Sequence, residues 1–270
     1  MKTKTTIFLI ILTLILISAI YILSQKFLTK TNNLTIQQFN NNQPNNSDNA
    51  IKQPDTKTTT QPKQTTSTPQ SMTEIVRADT KQQQVVFTFD AGSGNQSLDT
   101  VLAALAKYNL QTSFFITGQW TAKYPNGVKK IAAAGQEIFN HTYSHPHLTQ
   151  ISDEQIIDEL TRTDNIISGL TGQSTKPYFR PPYGDRNQHV RDVAASLGYR
   201  SVYWTVDTWD WRESDGVTAA RVRARILDNL APGNIYLMHL GDNITGQILD
   251  EMFSKILNQG YQIAPLSTAL

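Results

Sequence analysis

From Gln84 to the C-terminus, runs that read as strand alternate with runs that read as helix seven times. That alternation limits the fold more than any other feature, because strands separated by helices pair in parallel through crossovers. The strand runs are Val85–Phe89, Thr112–Thr117, Glu137–Asn140, Pro177–Arg180, Ser201–Val206, Asn234–Met238 and Gln262–Pro265. Between them, Leu98–Tyr108 places Val101, Leu102, Leu105 and Tyr108 on one helical face. Ser152–Gly169 opens on a Ser-x-x-Gln capping signature and carries Ile156, Ile157, Leu160 and Ile167. Gly135, Gly198 and Gly260 each close a helical run just before a strand run. Seven units in about 185 residues fall short of the full eight-stranded barrel, which takes about 250. The expected fold is therefore α/β, a distorted and incomplete (β/α) barrel of about seven units. An open doubly wound sheet is the alternative, but AGSGNQS after the first strand run lacks the spacing of a nucleotide loop.

The rest of the chain has a different composition. Thr5 to Gln25 is uncharged and mostly aliphatic, with Lys2 and Lys4 before it and Lys26 and Lys30 after it. A bilayer span needs about 20 apolar residues, so residues 1–30 are expected to be a single-pass membrane anchor with the bulk of the chain outside the cytoplasm. The alternative is a cleaved signal peptide and secretion, although such signals carry a shorter apolar core of about 7–15 residues. Residues 31–75, rich in Asn, Gln, Thr and Pro, are expected to form a disordered linker, since they offer too little apolar surface to offset ordering. Residues 76–270 form the expected catalytic domain. The chain has no cysteine, which excludes thiolate chemistry and a lipid-modified N-terminal Cys. A formal net charge of +2 gives no footprint for nucleic acid, and no motif indicates a protein partner.

In a β/α barrel the loops after the strands meet on one face, so distant residues converge there. Five short polar clusters occupy those positions: FTFDAG (Phe87 to Gly92), HTYSH (His141 to His145), RPPYG (Arg180 to Gly184), DTWDW (Asp207 to Trp211) and LMH (Leu237 to His239). His141 and His145 form an H-x-x-x-H pair, which can present two imidazoles to one metal from a helical turn, or from a tight loop, since Pro146 disfavours helix at His145. His147 reads as a surface histidine and His189 receives no role. Asp90, followed by two small residues, reads as a functional acid; with the His pair it would leave positions open on a zinc-class cation, which lowers the pKa of water from about 15.7 towards 7. The two prolines of RPPYG stiffen their loop, from which Arg180 could orient Asp90 and the Tyr183 backbone N–H could hold an oxyanion. Asp207 is expected to hydrogen-bond His239 and keep it protonated as a general acid. Trp209 and Trp211, with Tyr183, would bind sugar, because aromatic faces suit the apolar faces of pyranose rings.

In this order the five clusters closely resemble the polysaccharide deacetylase family, carbohydrate esterase family 4, from about Gln84 to Leu266. The resemblance implies a metal-dependent hydrolase that removes acetyl groups from N-acetylated sugars of peptidoglycan or chitin-like polymers. It implies that Asp90 is the catalytic base, His141 and His145 are zinc ligands, Arg180 orients the base, Tyr183 supplies the oxyanion donor, Asp207 partners the acid and His239 is that acid. Leu237 would line the acetyl pocket. The family's first motif usually reads TFDDG, whose second Asp ligates the metal; here Ala91 stands in its place. Asp90 or Asn95 then becomes a candidate third ligand. A second reading follows from the same position: a membrane-tethered glycan-binding protein with weak or no turnover.

Overall fold

The computed structural model describes residues 73–270; the anchor and all but the last residues of the linker lie outside them. Strands β1 (Gln84–Ala91), β2 (Ser113–Ile116), β3 (Glu137–Asn140), β4 (Tyr178–Phe179), β5 (Arg200–Ser201), β6 (Val206–Asp207), β7 (Ile235–His239) and β8 (Gln262–Ile263) form one parallel sheet. Its order is β5-β4-β3-β2-β1-β7-β6, with β8 joined to β1. This is the expected incomplete α/β barrel. Among the described residues no helix is long and apolar enough to cross a membrane.

All eight residues of β1 are buried, as a strand covered on both faces requires. Val85, Phe87, Phe89 and Ala91 join one apolar cluster with Leu98, Val101 and Leu105 of helix α1 (Leu98–Lys107). Val86 joins a different cluster with Phe115, Phe139, Val202 and Ile235. Period-2 alternation thus sends Val85, Phe87 and Phe89 toward the helices and aims Thr88 and Asp90 into the barrel, while Ala91 ends the strand at the barrel mouth. The Ser152 capping box is formed and opens Asp153–Thr171, the long helix that follows β3.

One run departs from its expected form. Ser201–Val206 is not one strand: β5 pairs with β4 at one end of the sheet, and β6 pairs with β7 at the other. Val202–Thr205 crosses the gap between them. Ile75 bridges Val202 there and is 2% exposed, while Glu74 forms a two-pronged ion pair with Arg186. Glu74 and Ile75, assigned above to the linker, are therefore packed into the domain.

Candidate active site

The C-terminal ends of β1, β3, β4, β6 and β7 surround a pocket of about 430 Å³, within the usual range for ligand clefts of about 300–1,000 Å³. Asp90, His141, His145, Tyr183, Asp207, Trp211, Leu237 and His239 all line it.

Arg180 is fully buried and explains much of the arrangement. Its Nη1 donates to Asp90 Oδ1 at 2.6 Å and to Thr88 Oγ1 at 2.9 Å, and its Nη2 donates to the Tyr203 carbonyl at 3.2 Å. The guanidinium lies 4.1 Å from the centre of the Phe115 ring. Burial, the largest influence, would raise the pKa of Asp90, but the charges of Arg180, His141 and His239 together with the Arg180 hydrogen bond outweigh it and hold the carboxyl below its ordinary value. Asp90 is thus ionised at neutral pH, and Arg180 orients it. Arg180 also orients a histidine: its carbonyl oxygen lies 2.8 Å from His141 Nδ1, which places the proton on Nδ1 and leaves a lone pair on Nε2.

His141 and His145 occupy a tight loop rather than a helical turn. Thr142 (φ 65°) and His145 (φ 64°) are both left-handed. Glu159, buried on the helix after β3, holds this loop in shape. Its Oε2 accepts from the Tyr143 and Ser144 backbone N–H groups, each at 2.7 Å, and its Oε1 accepts from Ser144 Oγ at 2.6 Å. The sequence reading missed Glu159; its only signal was a carboxylate inside an otherwise apolar helical face.

The two Nε2 atoms are 3.2 Å apart. Two nitrogens at zinc distance in a tetrahedral site stand about 3.3 Å apart, so the pair fits a divalent cation. Burial lowers both histidines, His145 to about 3, so both are neutral as ligands must be. The third-ligand candidates do not complete the set. Asp90 Oδ2 is 3.3 Å from His141 Nε2, yet Asp90, His141 and His145 are not among the groups whose donor atoms all lie within 4.8 Å of one another. Asn95 is exposed and lines a separate depression with Lys123, Tyr124 and Lys130. Ala91 itself is fully buried beside Phe89.

Among the described residues the compact donor group is Asp210, His239 and Asp242. Its hydrogen bonds suit an oriented acid better than a metal. Asp210 Oδ1 lies 3.0 Å from His239 Nδ1, and Oδ2 accepts from the His239 backbone N–H at 2.6 Å and from Thr245 Oγ1. Burial would lower the pKa of His239, but Asp210 outweighs it by charge and hydrogen bond, with Asp90 and Asp242 adding, and raises it to about 9. This corrects one expectation: the partner of His239 is Asp210, not Asp207. Asp207 instead accepts from the Trp209 backbone N–H at 3.0 Å and from Trp211 Nε1 at 3.2 Å.

A second correction concerns the tryptophans. Trp209 (φ 65°) turns its ring onto the Arg225 guanidinium, 3.5 Å away, and does not line the pocket. Trp204 lines it instead, beside Trp211. Tyr183 (φ 58°) stands 62% exposed on the rim, stacked on His147 at 4.2 Å. His147 is held by Asp185 at 3.1 Å, so this surface histidine backs the tyrosine ring.

Residues 77–202 match the family described as polysaccharide deacetylase. The chain is 33% identical over 187 residues to peptidoglycan-N-acetylglucosamine deacetylase of Bacillus cereus, covering 68% of this chain and 66% of that one. It is 31% identical over 182 residues to peptidoglycan-N-acetylmuramic acid deacetylase PdaA of Bacillus subtilis, covering 67% and 69%. The chain belongs to the polysaccharide deacetylase family. As a member of this family of hydrolases it also shares its fold with BA3943 of Bacillus anthracis, a CE4 family pseudoenzyme, at TM-score 0.69 and 30% identity over 73% of this chain and 68% of that one. A mutant of BA3943 is described as having restored enzymatic activity.

Proposed function

We propose that this deacetylase-family chain is a metal-dependent hydrolase that removes N-acetyl groups from the sugars of peptidoglycan or a chitin-like polymer. The observation that carries the proposal is the convergence in one pocket of an ionised Asp90 and a protonated His239, register partners on β1 and β7, with two neutral imidazoles beside Asp90. A divalent cation, zinc by its ligand type, would be held by His141 and His145 and would polarise the water and the acetamide carbonyl. Asp90 accepts the proton of the attacking water, and Arg180 keeps its carboxylate aimed into the pocket. His239, its Nδ1–H committed to Asp210, donates from Nε2 to the departing amine. Leu237, 4% exposed in the middle of β7, offers an apolar wall to the acetyl methyl. The Thr5 to Gln25 segment would tether the domain to the membrane, and residues 31–72 would let it reach polymer outside the cytoplasm.

Acetate release from chitin oligomers and from peptidoglycan, measured with added zinc and with chelator, tests this reading. Release that needs the metal supports it. Ala91 and the likeness to a CE4 family pseudoenzyme favour a second reading, a glycan-binding protein with weak or no turnover. Tight glycan binding without acetate in the metal-replete assay would select it.

A further inference from the structure

The three histidines between His141 and His147 each meet the loop after β4. The Arg180 carbonyl oxygen lies 2.8 Å from His141 Nδ1, the Tyr183 ring meets the His145 ring edge-on with centres 4.5 Å apart, and Asp185 Oδ2 lies 3.1 Å from His147 Nδ1. The first two contacts involve the imidazoles that would hold a cation. The third does not, and neither His147 nor Asp185 is among the residues lining the pocket. Its effect falls on Tyr183. Tyr183 (φ 58°) and Gly184 (φ 66°) are two left-handed residues in a row, and a tyrosine stays in that region only where its surroundings hold it. The Tyr183 ring is 62% exposed, so burial does not hold it. The turn is pressed against a wall, since a Cβ on Gly184 would stand 2.6 Å from the Tyr203 ring and 2.8 Å from the Trp204 ring. The Tyr183 ring itself lies on His147, with centres 4.2 Å and planes 18° apart. His147 is fixed in its turn, because Asp185 takes its Nδ1–H while Thr149 Oγ1 donates to the same carboxylate at 2.7 Å.

We propose that His147 and Asp185 are positioning residues: the stacked imidazole, tied down by the carboxylate, keeps Tyr183 in its left-handed turn and so fixes the direction of the Tyr183 backbone N–H at the pocket rim. Neither side chain touches the reacting atoms. The torsion φ turns about the bond next to that N–H, so a relaxed φ carries the donor to a new direction. A hydrogen-bond donor works on an oxyanion only where it is already aimed, and a misplacement of about 1 Å can cost about 100-fold in rate. The assignment deepens the hydrolase reading above and rests on it for what the N–H does; how the turn is held stands on the contacts alone.

The test combines amide hydrogen exchange with kinetics on chitotetraose, both on the zinc-loaded full chain. The Gly184 and Asp185 N–H groups donate to the Pro181 and Pro182 carbonyls at 3.2 and 2.9 Å, so their exchange reports on the turn. The His147 side chain is 47% exposed, so truncating it leaves the core intact. In His147→Ala these amides should exchange at least about tenfold faster, and kcat should fall about tenfold with KM within about twofold, the pattern of an interaction made only in the transition state. Zinc per chain should equal that of the native protein. His147→Phe, which keeps a ring to stack on, should restore most of the slow exchange and of kcat. Asp185→Ala should exchange faster than the native chain, and Asp185→Asn, which keeps an acceptor for the Nδ1–H, should restore part of the difference. If His147→Ala melts too low to assay, the Phe and Asp185 variants decide the matter by the same comparison. Native exchange in His147→Ala, faster exchange with kcat unchanged, or a loss of zinc that accounts for the loss of rate would overturn the assignment. A native chain that releases no acetate would remove the hydrolase reading, and faster exchange in His147→Ala would then still support the hold on Tyr183.

Discussion

Two side chains decide the chemistry, and each makes a separate prediction. His239 can serve as an acid only while protonated, and Asp210 raises its pKa to about 9, so kcat should fall as pH rises through that value. Removing the carboxylate removes the main force opposing burial. In Asp210→Asn the alkaline limb should therefore move down toward the ordinary histidine range, about 6.5, and activity at pH 8 should drop roughly tenfold or more. A pH series of initial rates on the variant checks this; a limb that stays near 9 would mean that something other than Asp210 charges His239. The second side chain is Ala91, where the family's usual second Asp is absent. Ala91→Asp should tighten zinc retention by at least about tenfold, read as metal per chain after dialysis. Without metal the same variant should melt lower, because a fully buried carboxylate lacking a partner costs several kcal/mol. Equal zinc retention in both proteins would show that the site gains nothing from a carboxylate at this position.

The loop between β3 and the long helix shows how an element sets a site. A carboxylate that accepts three hydrogen bonds from one turn contributes about 1.5–3 kcal/mol per bond to that turn's shape, so Glu159→Ala should loosen the His141–His145 geometry before it unfolds the domain. The expected result is zinc retention lowered more than tenfold, and Glu159→Gln should restore part of it by keeping one acceptor. A loss confined to the melting temperature, with zinc affinity intact, would reduce Glu159 to a structural anchor. Elements also explain what the sequence made legible. Asp90, His141, Arg180 and His239 follow directly from the rule that strand ends converge, because each stands within one position of the last residue of a strand. Asp207, Trp209, Asp210 and Trp211 do not, because four candidate functional residues of only two types crowd into five positions at the end of one strand. Which of them faces His239 depends on the left-handed turn at Trp209 and on the 3-10 segment Asp210–Asp215, and neither leaves a periodic trace. Ser201–Val206 misled for a related reason: its apolar pattern is continuous although the backbone leaves one sheet edge and joins the other.

At the scale of the molecule, that crossing makes the barrel depend on residues just before it. Ile75 takes a hydrogen bond path on both sides of the gap, its N–H donating to the Ser201 carbonyl and its carbonyl accepting from the Tyr203 N–H. Tyr203 in turn offers its own carbonyl to Arg180 Nη2, so the closure of the barrel is two hydrogen bonds from the group that aims Asp90. A buried isoleucine cut to alanine costs about 2–5 kcal/mol, and in a domain of this size each kcal/mol lowers the melting temperature by about 2–4 °C. Ile75→Ala in the full chain should therefore melt roughly 10 °C lower. Its activity at low temperature should fall less than that of Arg180→Ala, which leaves the Asp90 carboxylate buried without its partner. Calorimetric melts and rates at 15 °C measure both effects. If residue 75 belonged to a tether, the substitution would leave the melt unchanged, because a side chain with no packing partners has no native contacts to lose.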